Sequence, residues 1–197
     1  LLSLWVNAQD RSQVSEDAAL GISFSSFGEN ELIRFDNDLV GMPGYSGKHF
    51  YSVGISYHKP LNRTFGFETG VEYSRHKFMV DPNLPPSIDQ PSYPVYLDMV
   101  EVPLSMRVNF FRHFYIGGGV MLNIDPGSRN GPDNQTGLGA GFSLGVQHDF
   151  DFGIRAFISP YMKVNTLLPF VPEYDHQRLW VSAWRFGLLY RLPVSNE

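Results

Sequence analysis

The sequence of 197 residues predicts an all-β protein, an eight-stranded antiparallel up-and-down transmembrane β-barrel of outer-membrane type. Three observations lead to this fold class. Segments that alternate apolar and polar residues recur along the chain with the two-residue period of a β-strand. The connections between them alternate strictly between short and long. One face of the strands carries nearly all of the charges and the other is apolar, which suits a closed sheet in a bilayer.

The eight predicted strands are separated by residues typical of turns. In chain order they are Ala19–Gly28, Lys48–His58, Thr64–Phe78, Val100–Phe110, Phe114–Ile124, Leu138–His148, Ile154–Thr166 and Leu179–Leu192. The fourth shows the period most clearly: every even position from Val100 to Phe110 is apolar, whereas Glu101, Ser105 and Arg107 lie between them. Such a strand has one apolar and one polar face.

The connections differ in length at the two ends of the predicted sheet. Short ones lie at Lys59–Arg63, Phe111–His113 and Asp149–Gly153. Long polar ones lie at Glu29–Gly47, Met79–Pro94, Asp125–Gly137 and Leu167–Arg178. Outer-membrane barrels have short periplasmic turns and longer extracellular loops. We therefore expect a bacterial outer-membrane location with both chain termini in the periplasm.

The polarity of the two faces predicts which one meets lipid. A single face carries Glu68, Glu72, Glu101, Arg107, Arg155, Lys163, Arg185 and Arg191. An Arg or Lys on the lipid face costs about 2–4 kcal/mol at the bilayer midplane, so these charges should line the lumen. We expect them to pair as a salt-bridge network that closes the barrel, although a proton or ion pathway would use the same residue types. The inward glycines would open some space in the lumen, so a narrow conduit is the alternative.

Composition excludes several classes of function. Charged residues are 18% and aromatic residues 15% of the chain, and the net charge of −5 argues against a nucleic-acid partner. There is no cysteine, hence no disulfide and no thiolate site. We expect no metal and no cofactor, because the acidic segment 125–135 lacks the carboxylate spacing of a calcium loop.

The chain ends are expected to lie outside the barrel. Residues 1–9 are apolar up to a small-residue site near Ala8 and are interpreted as the remnant of an export signal peptide. Residues 10–18 would form a periplasmic N-terminal segment, residues 19–192 a single barrel domain, and residues 193–197 a C-terminal tail.

The stretch "VEVPLSMRVNFFRHFYIGGGVMLNI" at 100–124 resembles the strand–turn–strand core of the PorT-like small outer-membrane β-barrel proteins of Bacteroidota. The match rests on Glu101, Pro103, Leu104, Arg107 and the glycines 117–119, and "WRFGLLYRL" at 184–192 fits the same pattern. The resemblance runs over nearly the whole chain from Ala19. One departure is that the chain continues past its last strand, whereas many outer-membrane barrels end on an aromatic residue. The resemblance implies a link to protein secretion machinery.

The functional expectation is a non-enzymatic scaffold or interaction protein of the cell envelope. Its expected partners are outer-membrane lipid, lipopolysaccharide and an envelope or secretion-complex protein, with loop contacts through Phe35, Tyr45, Tyr93 and Tyr174. One alternative is a narrow conduit or small-ligand-binding barrel. Another is a hydrolase at the barrel rim that uses His176, the only loop histidine with neighbouring acids.

Overall fold

The computed structural model describes residues 17–34, 44–82, 91–111, 113–127, 132–171 and 176–192. The predicted signal remnant at 1–9, the tail at 193–197 and the loop residues Phe35 and Tyr174 lie outside these ranges, as does most of 10–18. In the part that is described, no helix is long and apolar enough to cross a membrane.

Eight antiparallel strands form a closed barrel in which each strand pairs with its neighbours in the sequence and the last pairs with the first. They are β1 (Ala19–Ile33), β2 (Gly44–Pro60), β3 (Phe65–Asp81), β4 (Tyr93–Phe110), β5 (Phe114–Ile124), β6 (Gly137–Asp149), β7 (Ile154–Pro169) and β8 (Arg178–Arg191). The predicted fold class is confirmed. The short turns lie at one end of the barrel, which we call the short-turn end, and the other end is the long-loop end. β1 begins and β8 ends at the short-turn end.

The alternation in the sequence becomes an inner and an outer face. In β4, Leu104 and Met106 point outward and are about half exposed, at 51% and 46%. Glu101 and Arg107, at odd positions of the same strand, are buried in the interior. An apolar outer surface and a polar interior are the arrangement of a barrel that sits in lipid.

Several strands are longer than predicted, mainly at the long-loop end. β1 continues to Ile33, β3 to Asp81, and β4 begins at Tyr93 rather than at Val100. The residues predicted as loop in these places continue the alternation of apolar and polar residues, and they are therefore strand. Their polarity is reversed, with the apolar residues inside the barrel and the polar residues outside. In β4 the inward residues are apolar up to Met99 and polar from Glu101 onward.

This reversal gives the long-loop end an apolar core of its own. The buried side chains of that core come from β2, β3, β4, β7 and β8. They are Phe50, Phe78, Val80, Val95, Leu97, Met99, Tyr161, Leu179, Val181 and Ala183. The outer faces of β3 and β4 in the same segment carry charged residues such as Arg75 and Asp98, whose side chains approach to 3.6 Å. In this segment β3 and β4 have the faces of a sheet in a water-soluble protein, polar outside and apolar inside.

The pairing between β1 and β2 is shorter than the other pairings around the barrel. Its ladder ends at Ser25 and Ser52, although β1 stays paired with β8 up to Ile33 and β2 with β3 up to Gly44. Just beyond the ladder, the Ser26 hydroxyl donates to the Phe50 carbonyl at 3.1 Å. The seam between residues 26–33 and 44–51 therefore depends on the strands on either side of it.

Candidate functional site in the barrel interior and at the long-loop end

The centre of the barrel holds a buried ion network around Lys163. Its ammonium group donates to Glu72 at 2.9 Å and also to Glu101. Arg185 donates to the second oxygen of Glu72 at 3.0 Å, and the side-chain amide of Asn165 donates to Glu101. These side chains come from β3, β4, β7 and β8, so the network ties together strands on opposite sides of the barrel.

A second group of charges adjoins the first. Glu68 lies 3.9 Å from Arg107, 4.0 Å from Arg185 and 3.7 Å from His58. Arg107 also donates to Gln147, and its guanidinium lies 3.3 Å from the centre of the Tyr115 ring. The joined network thus holds three carboxylates and three permanent cations. Buried charges are tolerated when they are paired in this way.

Two of the eight predicted lumen residues belong to a separate cluster. Arg155 and Arg191 contact Asp149 at 2.6 Å and 2.9 Å near the short-turn end. No ion pair among the described residues joins this cluster to the central network. The predicted set therefore lies on the inner face but forms two groups, since Arg155 and Arg191 are close to the short-turn ends of their strands.

Apolar side chains lie on both sides of the central network. The apolar core of the long-loop end covers one side, and a smaller buried cluster of Ala19, Tyr115, Phe157 and Leu189 covers the other. A cavity that adjoins Glu68, Glu72 and Arg185 has a volume of only about 10 Å³. This is close to the space that one water molecule needs, and not that of a wide channel.

Several polar partners of the network were not singled out by the sequence. Asn123, Gln147 and Asn165 are buried on the inner face. Their inward positions follow from the alternation of the strands. What the sequence did not show is which inward residues of distant strands meet.

At the long-loop end, Gln135 joins two connections. It is fully buried, and its amide nitrogen donates to the carbonyls of Asp133 at 2.8 Å and Gln177 at 2.6 Å. Its side-chain oxygen accepts from the Leu179 backbone at 3.1 Å, and its own carbonyl accepts from Thr166 at 2.7 Å. Gln135 thus fixes the β5–β6 connection against β7 and the start of β8.

The acidic segment at 125–135 uses its first carboxylate internally. Asp125 accepts hydrogen bonds from the backbone of Gly127 at 2.9 Å and of Gln135 at 3.1 Å. Within the ranges that the structure describes, no group of three or more acidic or histidine side chains could hold a metal ion.

The predicted loop contacts differ in exposure. Tyr93 begins β4 and is 42% exposed. Tyr45 lies in β2 rather than in a loop, is half-buried, and packs against the apolar core. It turns inward because the reversed polarity of this end places its apolar residues inside.

His176, the predicted rim residue, is buried at the long-loop end. It is 5% exposed, and neither ring nitrogen has a hydrogen-bond partner among the described residues. Burial lowers the pKa of His176, and Asp133 opposes this only in part. A nucleophile and its base are normally in hydrogen-bond reach of each other. The acidic neighbours that suggested a rim site, Glu173 and Asp175, lie outside the described ranges.

Solved structures of similar shape agree with the barrel geometry. The outer-membrane protein OprG of Pseudomonas aeruginosa superposes with a TM-score of 0.54 at 10% identity, over 91% of this chain and 97% of that one. The fold is that of a small outer-membrane β-barrel. The outer-membrane protein AlkL matches with a TM-score of 0.50 at 15% identity, over 92% of this chain and 93% of that one.

The sequence comparisons do not assign the chain to a family. No protein-family model matches the chain. No curated protein matches it either. The resemblance to PorT-like proteins stays a prediction.

Proposed function

We propose that the chain is an integral outer-membrane protein that acts as a non-enzymatic scaffold, with the long-loop end outside the cell and both termini in the periplasm. The observation that carries this proposal is the reversal of polarity along the barrel. Below it, the outer surface is apolar and suited to lipid. Above it, the outer faces of β3 and β4 carry charged residues while the interior becomes an apolar core, so this part of the barrel suits contact with water.

The length of the strands supports a rigid part outside the bilayer. A transmembrane β-strand needs about 9–11 residues, and β3 has 17. At about 3.3 Å per residue, the six or more extra residues extend roughly 20 Å. Tyr73 donates to Asp98 at 2.7 Å, and Arg75 pairs with the same carboxylate. These contacts hold β3 and β4 together on the side that faces water.

The exposed aromatic residues of this part suit contact with another protein. Tyr93 and Tyr96 are 42% and 43% exposed on β4. Tyrosine is enriched at protein interfaces and in their energetically dominant positions. The partner that we propose is an envelope protein, and the resemblance to PorT-like proteins favours one that belongs to a secretion complex.

The closed interior favours a scaffold over the conduit alternative. The ion network is paired, and apolar layers lie on both sides of it. Likewise, the burial of His176 supports a role other than catalysis. Steady conductance through planar bilayers would favour a conduit over the scaffold.

A crosslinking experiment in whole cells tests the scaffold. A photoreactive amino acid would replace Tyr93 or Tyr96, with Leu104 on the apolar face and Phe152 in a short turn as matched controls. We expect a protein adduct from the long-loop positions and none from Leu104. Absence of adducts at both tyrosines, or recovery of the chain from a detergent-free soluble extract, would contradict the proposal.

A further inference from the structure

The outer surface of the barrel is not convex all round. An apolar groove of about 840 Å³ crosses the outward faces of β7, β8, β1, β2 and β3. Its lining includes Ile22, Ile55, Val71, Phe186 and Leu188. This volume is within the range of about 300–1,000 Å³ that is usual for sites of small molecules.

The groove exists because the barrel wall behind it has very small inward residues. Ser23 on β1 pairs with Gly54 on β2 and with Gly187 on β8. A β-carbon at Gly187 would lie 2.3 Å from the ring of Phe157. The backbone can therefore sit directly on the interior side chains, and the wall sinks inward at this place.

The groove climbs toward the long-loop end as it passes from strand to strand. It includes Ala156, the third residue of β7 counted from the short-turn end, and Tyr73, the ninth residue of β3 counted from the same end. Tyr73 is the last outward residue of β3 before the outer surface becomes charged. One end of the groove thus opens where we place the boundary between hydrocarbon and headgroups.

Two cations lie directly beyond that opening on the same outward face. Arg75 and Lys77 follow Tyr73 at alternate positions of β3, and both lie over the Tyr96 ring, at 4.9 Å and 6.0 Å from its centre. Asp98 offsets the charge of Arg75 in part, at 3.6 Å. Lys77 has no carboxylate within 4.0 Å among the described residues, so the pair carries a surplus of positive charge.

We propose that the groove and this cationic pair form one binding site for a phosphate-bearing, acylated lipid of the outer leaflet, namely lipid A. Arg75 and Lys77 bind a phosphate of the headgroup, and Tyr96 holds the two cations in place. One acyl chain runs down the groove past Val71 and Ile55. The inference rests on the proposed outer-membrane location, because only there does this face meet that lipid.

Native mass spectrometry of the detergent-purified full chain tests the site, with diphosphorylated lipid A as the probe and phosphatidylcholine as the neutral comparison. We expect one lipid A to bind at least tenfold more tightly than phosphatidylcholine. Cations at a lipid surface contribute about fivefold each, so Arg75→Gln with Lys77→Gln should weaken binding roughly 25-fold. The control is Lys59→Gln, an exposed lysine near the short-turn end of β2, which should change lipid A affinity by no more than about twofold.

The groove is tested separately by filling it. Ile55→Trp should weaken lipid A binding, whereas Val120→Trp on the outward face of β5, across the barrel from β1, should not. Deacylated lipid A and inorganic phosphate should compete only weakly, because the chain supplies part of the affinity. Heat-modifiable migration in gels would confirm that each variant is folded.

The inference would be overturned by equal binding of the two lipids, or by control variants that weaken lipid A binding as much as the site variants do. A doubled protein mass, which shows a second copy in the groove, would also overturn it. None of these results would alter the fractionation of the protein with outer membranes. Recovery of the chain in a soluble extract would instead refute the proposed location, so the two failures can be told apart.

Discussion

Replacement of Lys163 by methionine should be the most destabilising single change in the barrel interior. Lys163 lies between Glu72 and Glu101, and all three side chains are buried. The central network then loses one of its three cations and keeps all three carboxylates, which leaves an uncompensated negative charge in the core.

The magnitude follows from the geometry. At 2.9 Å and an effective dielectric constant of about 20, the contact of Lys163 with Glu72 corresponds to roughly 6 kcal/mol of Coulomb energy. The lower desolvation cost of the neutral side chain offsets part of this loss. Loss of one partner of a buried pair typically costs about 3–5 kcal/mol, and we expect the Lys163→Met variant to lose that much.

Urea unfolding of the refolded protein in detergent micelles would measure the loss. With a slope of about 2 kcal/mol/M, the midpoint should fall by roughly 2 M. The control is Arg63→Leu in the exposed turn between β2 and β3, which should change stability by less than about 0.5 kcal/mol. Addition of Glu101→Gln to the Lys163→Met variant should recover part of the loss, because it restores charge balance.

Two results would refute this reasoning. One is a loss for Lys163→Met that is no larger than for Arg63→Leu. The other is additive destabilisation in the double variant, which would mean that the two side chains do not share one network.

Three further outcomes are expected. Gly145→Ala should cost about 1–3 kcal/mol because a β-carbon there would lie 2.1 Å from the Tyr115 ring, whereas Gly66→Ala, with its nearest atom at 3.5 Å, should be tolerated; equal urea midpoints would contradict this. In hydrogen exchange, amides of residues 26–33 and 44–51 that face the β1–β2 seam should exchange faster than those between β3 and β4, and uniform protection would argue against an open ladder. In planar bilayers the wild-type protein should show no stable conductance steps, and regular large steps would contradict the closed interior.

The alternation of the sequence predicts the barrel, the number of strands and the inward direction of the eight charges named for the lumen. These follow from a period of two that each strand carries by itself, as in Val100–Phe110. The short-turn ends of the strands are predicted to within two residues, because turn-forming residues mark them.

The long-loop ends are predicted poorly, and the cause is physical. The prediction took an apolar residue to mean a lipid-facing one, which holds only at membrane depth. In β4 the inward residues Val95, Leu97 and Met99 are apolar and the outward Asp98 is charged, because water surrounds this part of the barrel. Pro94 also makes the start of this strand look like a loop.

The candidate site was predicted only as a set of inward charges. That Lys163 meets Glu72 and Glu101, whereas Arg155 and Arg191 meet Asp149, depends on the tilt and register of eight strands. Neither can be obtained from a single strand. The groove was missed for a similar reason, because it arises where Ser23, Gly54 and Gly187 from three strands meet.

Accessibility of spin labels along β4 tests the central claim most directly, namely that the apolar face meets lipid and that the polarity reverses beyond it. The chain has no cysteine, so single cysteines at positions 96, 104, 105 and 106 can be labelled without a background. Two relaxing reagents are used in bilayers: oxygen, which dissolves in the hydrocarbon, and a water-soluble nickel complex. Oxygen should relax the labels at 104 and 106, and the nickel complex should relax the label at 96. Neither reagent should relax the label at 105, which faces the interior. Oxygen accessibility at 105 equal to that at 104 and 106, or a label at 96 that lies in hydrocarbon, would contradict the account.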